Sequence, residues 1–220
     1  MPPSSFPRTR VASLLLLTVV VCLTGGCVQT AMLPADRLED GETRASFGVD
    51  DPGALFIPRL NAQVTQGLGG GDLTANVSVL PLSNQAVVGG GLAARSYLAS
   101  DLSVEGQLQI TAFSGRAAGL ALLGLQTIPP SEGGWYVGGQ TGVVSGPSPD
   151  VLFPGGASAE TARTWTAPVV GGTVGYGPIG LGPSARVQIE LKANVPVWGD
   201  EGEAPPATTG LSIGVFGLVE

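Results

Sequence analysis

Apolar and polar residues alternate along most of the chain that follows residue 43. The clearest example is the stretch 185–197, where seven apolar positions at a period of two fall on one face. Arg186, Gln188, Glu190 and Lys192 occupy the opposite face of the same stretch. Successive side chains of an extended chain point to opposite faces, so this period predicts a β-strand.

The same alternation, with no convincing helix between the repeats, predicts ten strands in all. Strong patterns cover 43–50, 72–80, 101–113, 185–197 and 210–217. Softer patterns, rich in Gly and Ala, cover 56–67, 85–98, 117–127, 133–144 and 166–177. Strands joined without helices must pair as antiparallel hairpins. Most are near the length that a tilted strand needs to cross a bilayer.

The connections between these strands differ in length according to which end of the strands they join. Counting from the first strand, the even-numbered connections are short, and the two longest connections, 145–165 and 199–209, are odd-numbered. Short turns at one end and long loops at the other are typical of outer-membrane barrels. We therefore predict an all-β, antiparallel up-and-down transmembrane β-barrel of about ten strands with a narrow lumen. An eight-stranded barrel with one weak pair outside the wall is the alternative.

The polar face of the strands indicates which way the apolar face points. It consists mainly of Ser, Thr, Asn, Gln and Gly, and the chain has a charged fraction of 12% and a single lysine, Lys192. A soluble β-protein carries charged residues on its outer face for solubility and to protect its sheet edges. Small uncharged residues suit a crowded lumen instead, so we expect the apolar face to point outward to lipid.

Composition also limits the chemistry of the chain. With no histidine, a Ser-His-Asp triad and a histidine metal site are excluded. The formal net charge of −7 makes the chain a poor partner for nucleic acid. Asp50-Asp51 is the only pair of adjacent aspartates in the sequence that could suggest an aspartyl protease, and it is better interpreted as an exposed loop. We therefore expect no enzymatic activity, no cofactor and no metal.

The N-terminus carries an export signal. Arg8 and Arg10 precede a short apolar run that ends in Leu23-Thr24-Gly25-Gly26-Cys27, the arrangement of a secretory signal rather than of a spanning helix. The last five residues resemble the lipobox of bacterial lipoproteins. The resemblance implies cleavage before Cys27, its modification with diacylglycerol and a further acyl chain such as palmitate, and attachment to a membrane. Val28, in the position where Asp retains lipoproteins at the inner membrane, implies the outer membrane.

The remainder of the chain resembles small outer-membrane β-barrel proteins. Thr208-x-Gly210-x-x-Ile213-x-Val215 is similar to the C-terminal assembly signal of that group. Nine aromatic residues fall near strand ends, where membrane barrels carry aromatic girdles: Tyr97, Trp135, Tyr136, Tyr176 and Phe216 at the turn end, and Phe56, Phe113, Trp165 and Trp198 at the other. We divide the chain into a signal peptide (1–26), a lipidated tether (27–42) and a barrel domain (43–220). The resemblance implies a protein lipid-anchored on the periplasmic side of the outer membrane, with outer-membrane lipid, lipoprotein-processing and barrel-assembly machinery as partners.

Six charged residues are expected to face the lumen. They are Arg44, Arg95, Glu105, Arg186, Glu190 and Lys192. The hairpin through 99–101 places Arg95 opposite Glu105. Buried charges must be paired or hydrated, so this set predicts an ion-paired plug inside a small barrel; a selectivity constriction is the alternative.

Three functions remain open from sequence. The first is a non-enzymatic outer-membrane barrel with a structural role or with surface contacts through loops 145–165 and 199–209. The second is a narrow passive pore for small solutes, lined by the charged set. The third is a soluble, lipid-tethered periplasmic β-barrel that binds an apolar ligand inside.

Overall fold

Ten antiparallel strands form a closed up-and-down barrel in a computed structural model. The structure describes residues 31–51, 59–81, 86–113, 116–147, 164–182, 185–197 and 208–218. The strands are β1 (Thr43–Asp51), β2 (Arg59–Gly67), β3 (Gly71–Pro81), β4 (Ala86–Ala99), β5 (Leu102–Phe113), β6 (Arg116–Thr127), β7 (Gly134–Pro147), β8 (Thr164–Gly180), β9 (Ala185–Pro196) and β10 (Thr208–Leu218). The radius about the barrel axis is about 10 Å.

Each strand pairs with its neighbours in sequence, and the last strand closes the barrel on the first. Phe47 of β1 lies opposite Val215 of β10 and opposite Ala62 of β2. All ten predicted strands are confirmed, with ends that agree to within three residues, and the eight-stranded alternative is wrong. Closure removes the free edges that an open sheet would present to other chains.

The two ends of the barrel differ in the connections that they carry, and we name them accordingly. The turn end carries the short connections β2–β3, β4–β5, β6–β7 and β8–β9, together with the start of β1 and the end of β10. Gly69, with a φ of 72°, lies in the first of these turns, where a left-handed conformation favours glycine. The opposite end is the loop end. The two long loops lie largely at 148–163 and 198–207, outside the described residues.

The outer wall of the barrel is apolar and the lumen is largely polar. Leu108 and Ile110 of β5 are 63% and 62% exposed, whereas Gln107 and Gln109, which alternate with them, are each 2% exposed. The same alternation leaves large apolar side chains exposed on the outer wall of every strand from β1 to β10. This is the reverse of a soluble barrel, which keeps its apolar side chains inside.

One part of the lumen is apolar. Near the loop end, Leu120 and Leu122 of β6, Val144 of β7, and Ala167 and Val169 of β8 form a buried cluster, with Trp165 packed against it. These strands are rich in Gly and Ala, and in their loop-end halves both faces are apolar. The expected polar inner face is therefore replaced by apolar side chains in this sector of the wall.

The aromatic residues form only part of the expected girdles. Trp135 and Tyr176 are exposed at the turn end, with ring centroids 5.2 Å apart and planes at 72°. Tyr136 and Phe216 are buried in the lumen, and Trp165 packs against the inner cluster, so their assignment to girdles was wrong. Phe56, Trp198 and the side chain of Phe113 lie outside the described residues.

Candidate functional site: a lumen occupied by residues 31–38

The residues that precede β1 run inside the barrel. Residues 31–36 and 38 are buried, and they contact inward-facing side chains of β2, β4, β5 and β9, which lie on different sides of the wall. We call residues 31–38 the lumen segment. Residues 27–42 were interpreted as a tether between the lipid and the barrel, but the lumen segment is a packed part of the barrel interior.

Lumen side chains bind the segment mainly through its backbone. Gln188 accepts a hydrogen bond from the Ala35 N–H at 2.7 Å and donates one to the carbonyl of Leu33 at 2.9 Å. Gln107 accepts from the Ala31 N–H at 3.0 Å, and Lys192 Nζ donates to the Ala31 carbonyl at 2.7 Å. These bonds satisfy backbone groups that have no strand partner, which buried peptide groups require.

Two further wall residues bind the backbone of the segment in the same way. Gln63 of β2 donates a hydrogen bond to the carbonyl of Met32. Arg95 of β4 donates to the carbonyls of Pro34 at 2.5 Å and Asp36 at 3.0 Å. Because these bonds involve backbone carbonyl groups, they fix the path and direction of the segment and depend little on which side chains it carries.

Asp36 is the charged anchor of the segment at the turn end. Its Oδ1 lies 2.6 Å from Nη1 of Arg44, and its Oδ2 lies 2.7 Å from Nη1 of Arg186. Arg44 also contacts Glu42, with Nε 2.6 Å from Oε1. A carboxylate that bridges guanidinium groups from β1 and β9 ties the lumen segment to two strands at once.

Arg95 and Asp72 form an ion pair that is fully removed from solvent. Asp72 Oδ2 lies 2.9 Å from Nε of Arg95 and accepts a further hydrogen bond from the Tyr97 hydroxyl at 2.7 Å. That hydroxyl also accepts a hydrogen bond from the Leu38 N–H at 2.9 Å, and the guanidinium of Arg37 lies 4.5 Å from the Tyr97 ring centroid. This cluster holds the turn-end part of the segment against β3 and β4.

A third polar network lies on β7 and β9. The Tyr136 hydroxyl donates to Glu190 Oε2 at 2.9 Å and accepts from Gln188 Nε2 at 2.6 Å. Glu190 Oε1 lies 3.0 Å from Nζ of Lys192. The residues that bind the lumen segment are therefore held in place by one another, which fixes their orientation.

All six charged residues singled out from sequence line the lumen, but not with the partners we expected. The register does place Arg95 opposite Glu105, yet the carboxylate bonded to Arg95 is Asp72. Glu105 accepts a hydrogen bond from Gln107 at 3.4 Å. Cys27, the predicted lipidation site, lies outside the described residues.

Sequence reasoning missed the residues that organise the lumen. Asp72 begins the predicted strand 72–80 and shares the parity of Thr74, Asn76 and Ser78, so its inward position was available from the pattern, but it was not among the six charged residues expected to face the lumen. The alternation also placed Gln63, Gln107 and Gln188 on the inward face, but nothing in the sequence indicated that they bind another segment of the chain. Asp36 lies in a segment that has no period.

Space remains beside the lumen segment near the turn end. A cavity of about 600 Å³ opens there between the segment and the β6–β7 turn. Its lining includes Asp36, Arg44, Arg186 and Ser131. Within the described ranges, no group of three His, Cys, Asp or Glu side chains is arranged to hold a metal ion.

Comparison with protein-family models and with curated proteins gives no relative from which a role could be carried over. No protein-family model matches the chain, and no curated protein matches it. In the described part of the sequence, no helix has the length and apolar character needed to cross a membrane.

Proposed function

We propose that the chain is a non-enzymatic transmembrane β-barrel of the bacterial outer membrane whose lumen is closed by its own N-terminal segment. In this proposal the wall spans the bilayer, the lumen segment prevents free diffusion through the barrel, and the long loops at 148–163 and 198–207 make the external contacts. Cys27 carries a lipid, as its similarity to a lipobox implies.

The observation that carries the proposal is the polarity of the wall. The outer surface exposes Leu, Ile, Val and aromatic side chains around the whole circumference, while Arg95, Glu190 and Lys192 are almost completely buried in the lumen. An apolar belt of this extent far exceeds the patches that soluble monomers expose to water. In a bilayer the same belt faces hydrocarbon, and every strand backbone is paired within the closed wall.

The lumen supports a closed barrel rather than a passive pore. A pore needs a continuous aqueous path, and the path here is occupied by buried backbone and side chains of residues 31–36. The alternative of a narrow solute pore therefore requires the segment to leave. The alternative of a soluble barrel that binds an apolar ligand is opposed by the glutamine and ion-pair lining that contacts the segment.

The proposal of a non-enzymatic role rests on how the lumen carboxylates are used. Asp36, Asp72 and Glu190 each contact a guanidinium or ammonium group. Asp36 fastens the segment to the wall, and Asp72 and Glu190 hold the cations Arg95 and Lys192 that bind its backbone, so these carboxylates have structural roles. The chain also lacks histidine, the commonest general acid or base.

Detergent dependence and gel migration test the membrane assignment. Residues 28–220, expressed without Cys27, should need detergent for solubility and should migrate differently on gels before and after heating. A monomer that remains soluble without detergent would contradict the membrane barrel. In planar bilayers the purified protein should show a closed baseline; a steady open conductance would favour the pore.

A further inference from the structure

The lumen binds residues 31–38 mainly through groups that every polypeptide carries. Five wall side chains hydrogen-bond to the backbone of this segment: Gln63, Arg95, Gln107, Gln188 and Lys192. Between them they donate to the carbonyls of residues 31–34 and 36 and accept from the N–H groups of residues 31 and 35. Backbone hydrogen bonds of this kind give affinity for an extended chain without selecting its side chains. The lumen therefore has the chemistry of a binding site for an extended polypeptide.

The wall holds two of the binding groups in orientation without help from the segment. Asp72 Oδ2 lies 2.9 Å from Nε of Arg95, and Glu190 Oε1 lies 3.0 Å from Nζ of Lys192. Asp72 and Glu190 belong to β3 and β9, so both ion pairs lie within the wall. A site whose donors are oriented before its ligand arrives has a smaller ordering cost on binding. Preorganisation of this kind is what a site for a separable ligand needs.

Recognition of a charged side chain is concentrated at Asp36. Its carboxylate lies 2.6 Å from Nη1 of Arg44 and 2.7 Å from Nη1 of Arg186. The buried residues 31–35 that precede it are small or apolar, and two of them, Ala31 and Leu33, pack in one cluster with a wall alanine. The site therefore fits an extended peptide in which small and apolar residues are followed by a carboxylate.

The carboxylate clamp formed by Arg44 and Arg186 can be reached from the turn end. The cavity of about 600 Å³ beside the segment is lined by both arginines, and the Arg186 side chain is 36% exposed. The segment joins β1 through the exposed residues 39–41, so its C-terminal side leaves the lumen at this same end. A chain that approaches the turn end therefore meets the clamp first.

We propose that the lumen is a binding site for an extended polypeptide, which residues 31–38 occupy as a ligand in cis. When the segment is released, the site binds a segment of another chain with the same chemistry, in which small and apolar residues precede a carboxylate at the position of Asp36. This inference rests on the proposed closure of the lumen by its own segment, to which it adds the class of partner. The lumen segment excludes that partner for as long as it stays bound.

Cleavage of the exposed turn, followed by peptide exchange, tests the proposal. A protease recognition sequence is inserted between Asp40 and Gly41, which are both exposed, and the chain 28–220 is cut there after it has folded in detergent. A synthetic peptide of residues 31–40, acetylated at Ala31 and labelled at its C-terminal end, is then added in excess. Fluorescence anisotropy measures its uptake, mass spectrometry measures the loss of the cut fragment, and the uncut protein is the control.

We expect the cut barrel to exchange its fragment for one labelled peptide, with saturation, and the uncut barrel to take up none. Retention of the fragment against excess peptide would overturn the inference, and so would release of the fragment without uptake of the peptide. Open conductance of the uncut protein in planar bilayers would contradict the proposed function instead.

Three variant peptides test the chemical class of the ligand. Asp36→Asn should weaken binding about 30-fold, whereas Asp40→Asn, the control at an exposed position, should bind like the parent. An ester in place of the Ala35 amide removes the N–H that Gln188 accepts and should weaken binding at least about fivefold. Met32→Leu keeps the backbone and nearly the volume, so it should bind more tightly than the ester. The reverse order would overturn recognition through the backbone.

Discussion

Asp36 and Arg186 form an ion pair across 150 positions of sequence, with 2.7 Å between Oδ2 of the carboxylate and Nη1 of the guanidinium. With the Asp36–Arg44 contact, this pair fastens the lumen segment at the turn end. The segment has no strand partner, so its retention depends on such side-chain contacts. Asp36 is therefore the residue on which closure of the lumen depends most directly.

Asp36→Asn should loosen the lumen segment. The substitution removes the charge that pairs with Arg44 and Arg186, and it should cost about 2 kcal/mol, less than for a fully buried pair because the Arg186 side chain is 36% exposed. We expect intermittent conductance in planar bilayers and faster proteolysis near residue 37. Asp40→Asn makes the same charge change at an exposed position. Equal conductance of the two variants would argue against Asp36 as the fastening point.

Glu105→Gln should lower stability without opening the lumen. Glu105 is 5% exposed, and the substitution replaces a buried carboxylate that accepts a hydrogen bond from Gln107, for a loss of about 1–3 kcal/mol in the free energy of unfolding. Asp36 still holds the segment, so the bilayer baseline should stay closed. Glu132→Gln, in the exposed β6–β7 turn, is the control. A large single-channel current from Glu105→Gln would instead indicate a selectivity constriction.

Asp72→Asn should be more damaging than either change. The side chains of Asp72 and Arg95 are both 0% exposed, so the substitution leaves a guanidinium in the lumen without its carboxylate. Removing one partner of a buried pair costs about 3–5 kcal/mol. Urea titration of the protein in lipid vesicles measures the loss. Asp101→Asn, at the exposed β4–β5 turn, should change stability by less than about 0.5 kcal/mol; similar losses in both would refute the pairing.

Gly175→Ala should destabilise the barrel by displacing Tyr136. The two residues lie opposite each other on β8 and β7, and a Cβ at Gly175 would overlap the Tyr136 ring. Overpacking of this kind costs about 1–3 kcal/mol, and the hydrogen bond from Tyr136 to Glu190 should be lost as well. Gly139→Ala is the matched control on β7, because a Cβ there meets nothing within 4 Å. In thermal unfolding, the melting temperature of Gly175→Ala should lie several degrees below that of Gly139→Ala.

The strands were predictable because their stability depends on a local pattern. Alternation such as that of 101–113 is kept along most of the wall, since an outward position favours an apolar residue and an inward position must fit the lumen. The predicted hairpin through 99–101 also placed Arg95 opposite Glu105, which the register confirms. The inner apolar cluster around Leu120 and Val144 was missed because both faces of β6–β8 are apolar near the loop end, so the pattern does not distinguish them.

The lumen segment could not be predicted from sequence because its structure is not local. Residues 31–38 have no period, and their hydrogen bonds go to side chains such as Gln107 and Gln188, 76 and 153 positions away. The preference of Arg95 for Asp72 over Glu105 likewise depends on side-chain geometry across a hairpin. The pattern predicted which residues face the lumen, but not which side chains contact each other across it.

The most direct test of the account is the cost of placing one charge on the outer wall. Leu108, at mid-height on β5, and Leu181, in the β8–β9 turn, are each 63% exposed, so Arg at either site would be nearly neutral in a soluble protein. In a bilayer, Leu108→Arg should make folding into lipid vesicles about 2–4 kcal/mol less favourable, and Leu181→Arg about 0–1 kcal/mol less favourable. Equal, small effects of the two substitutions would contradict a membrane-spanning wall.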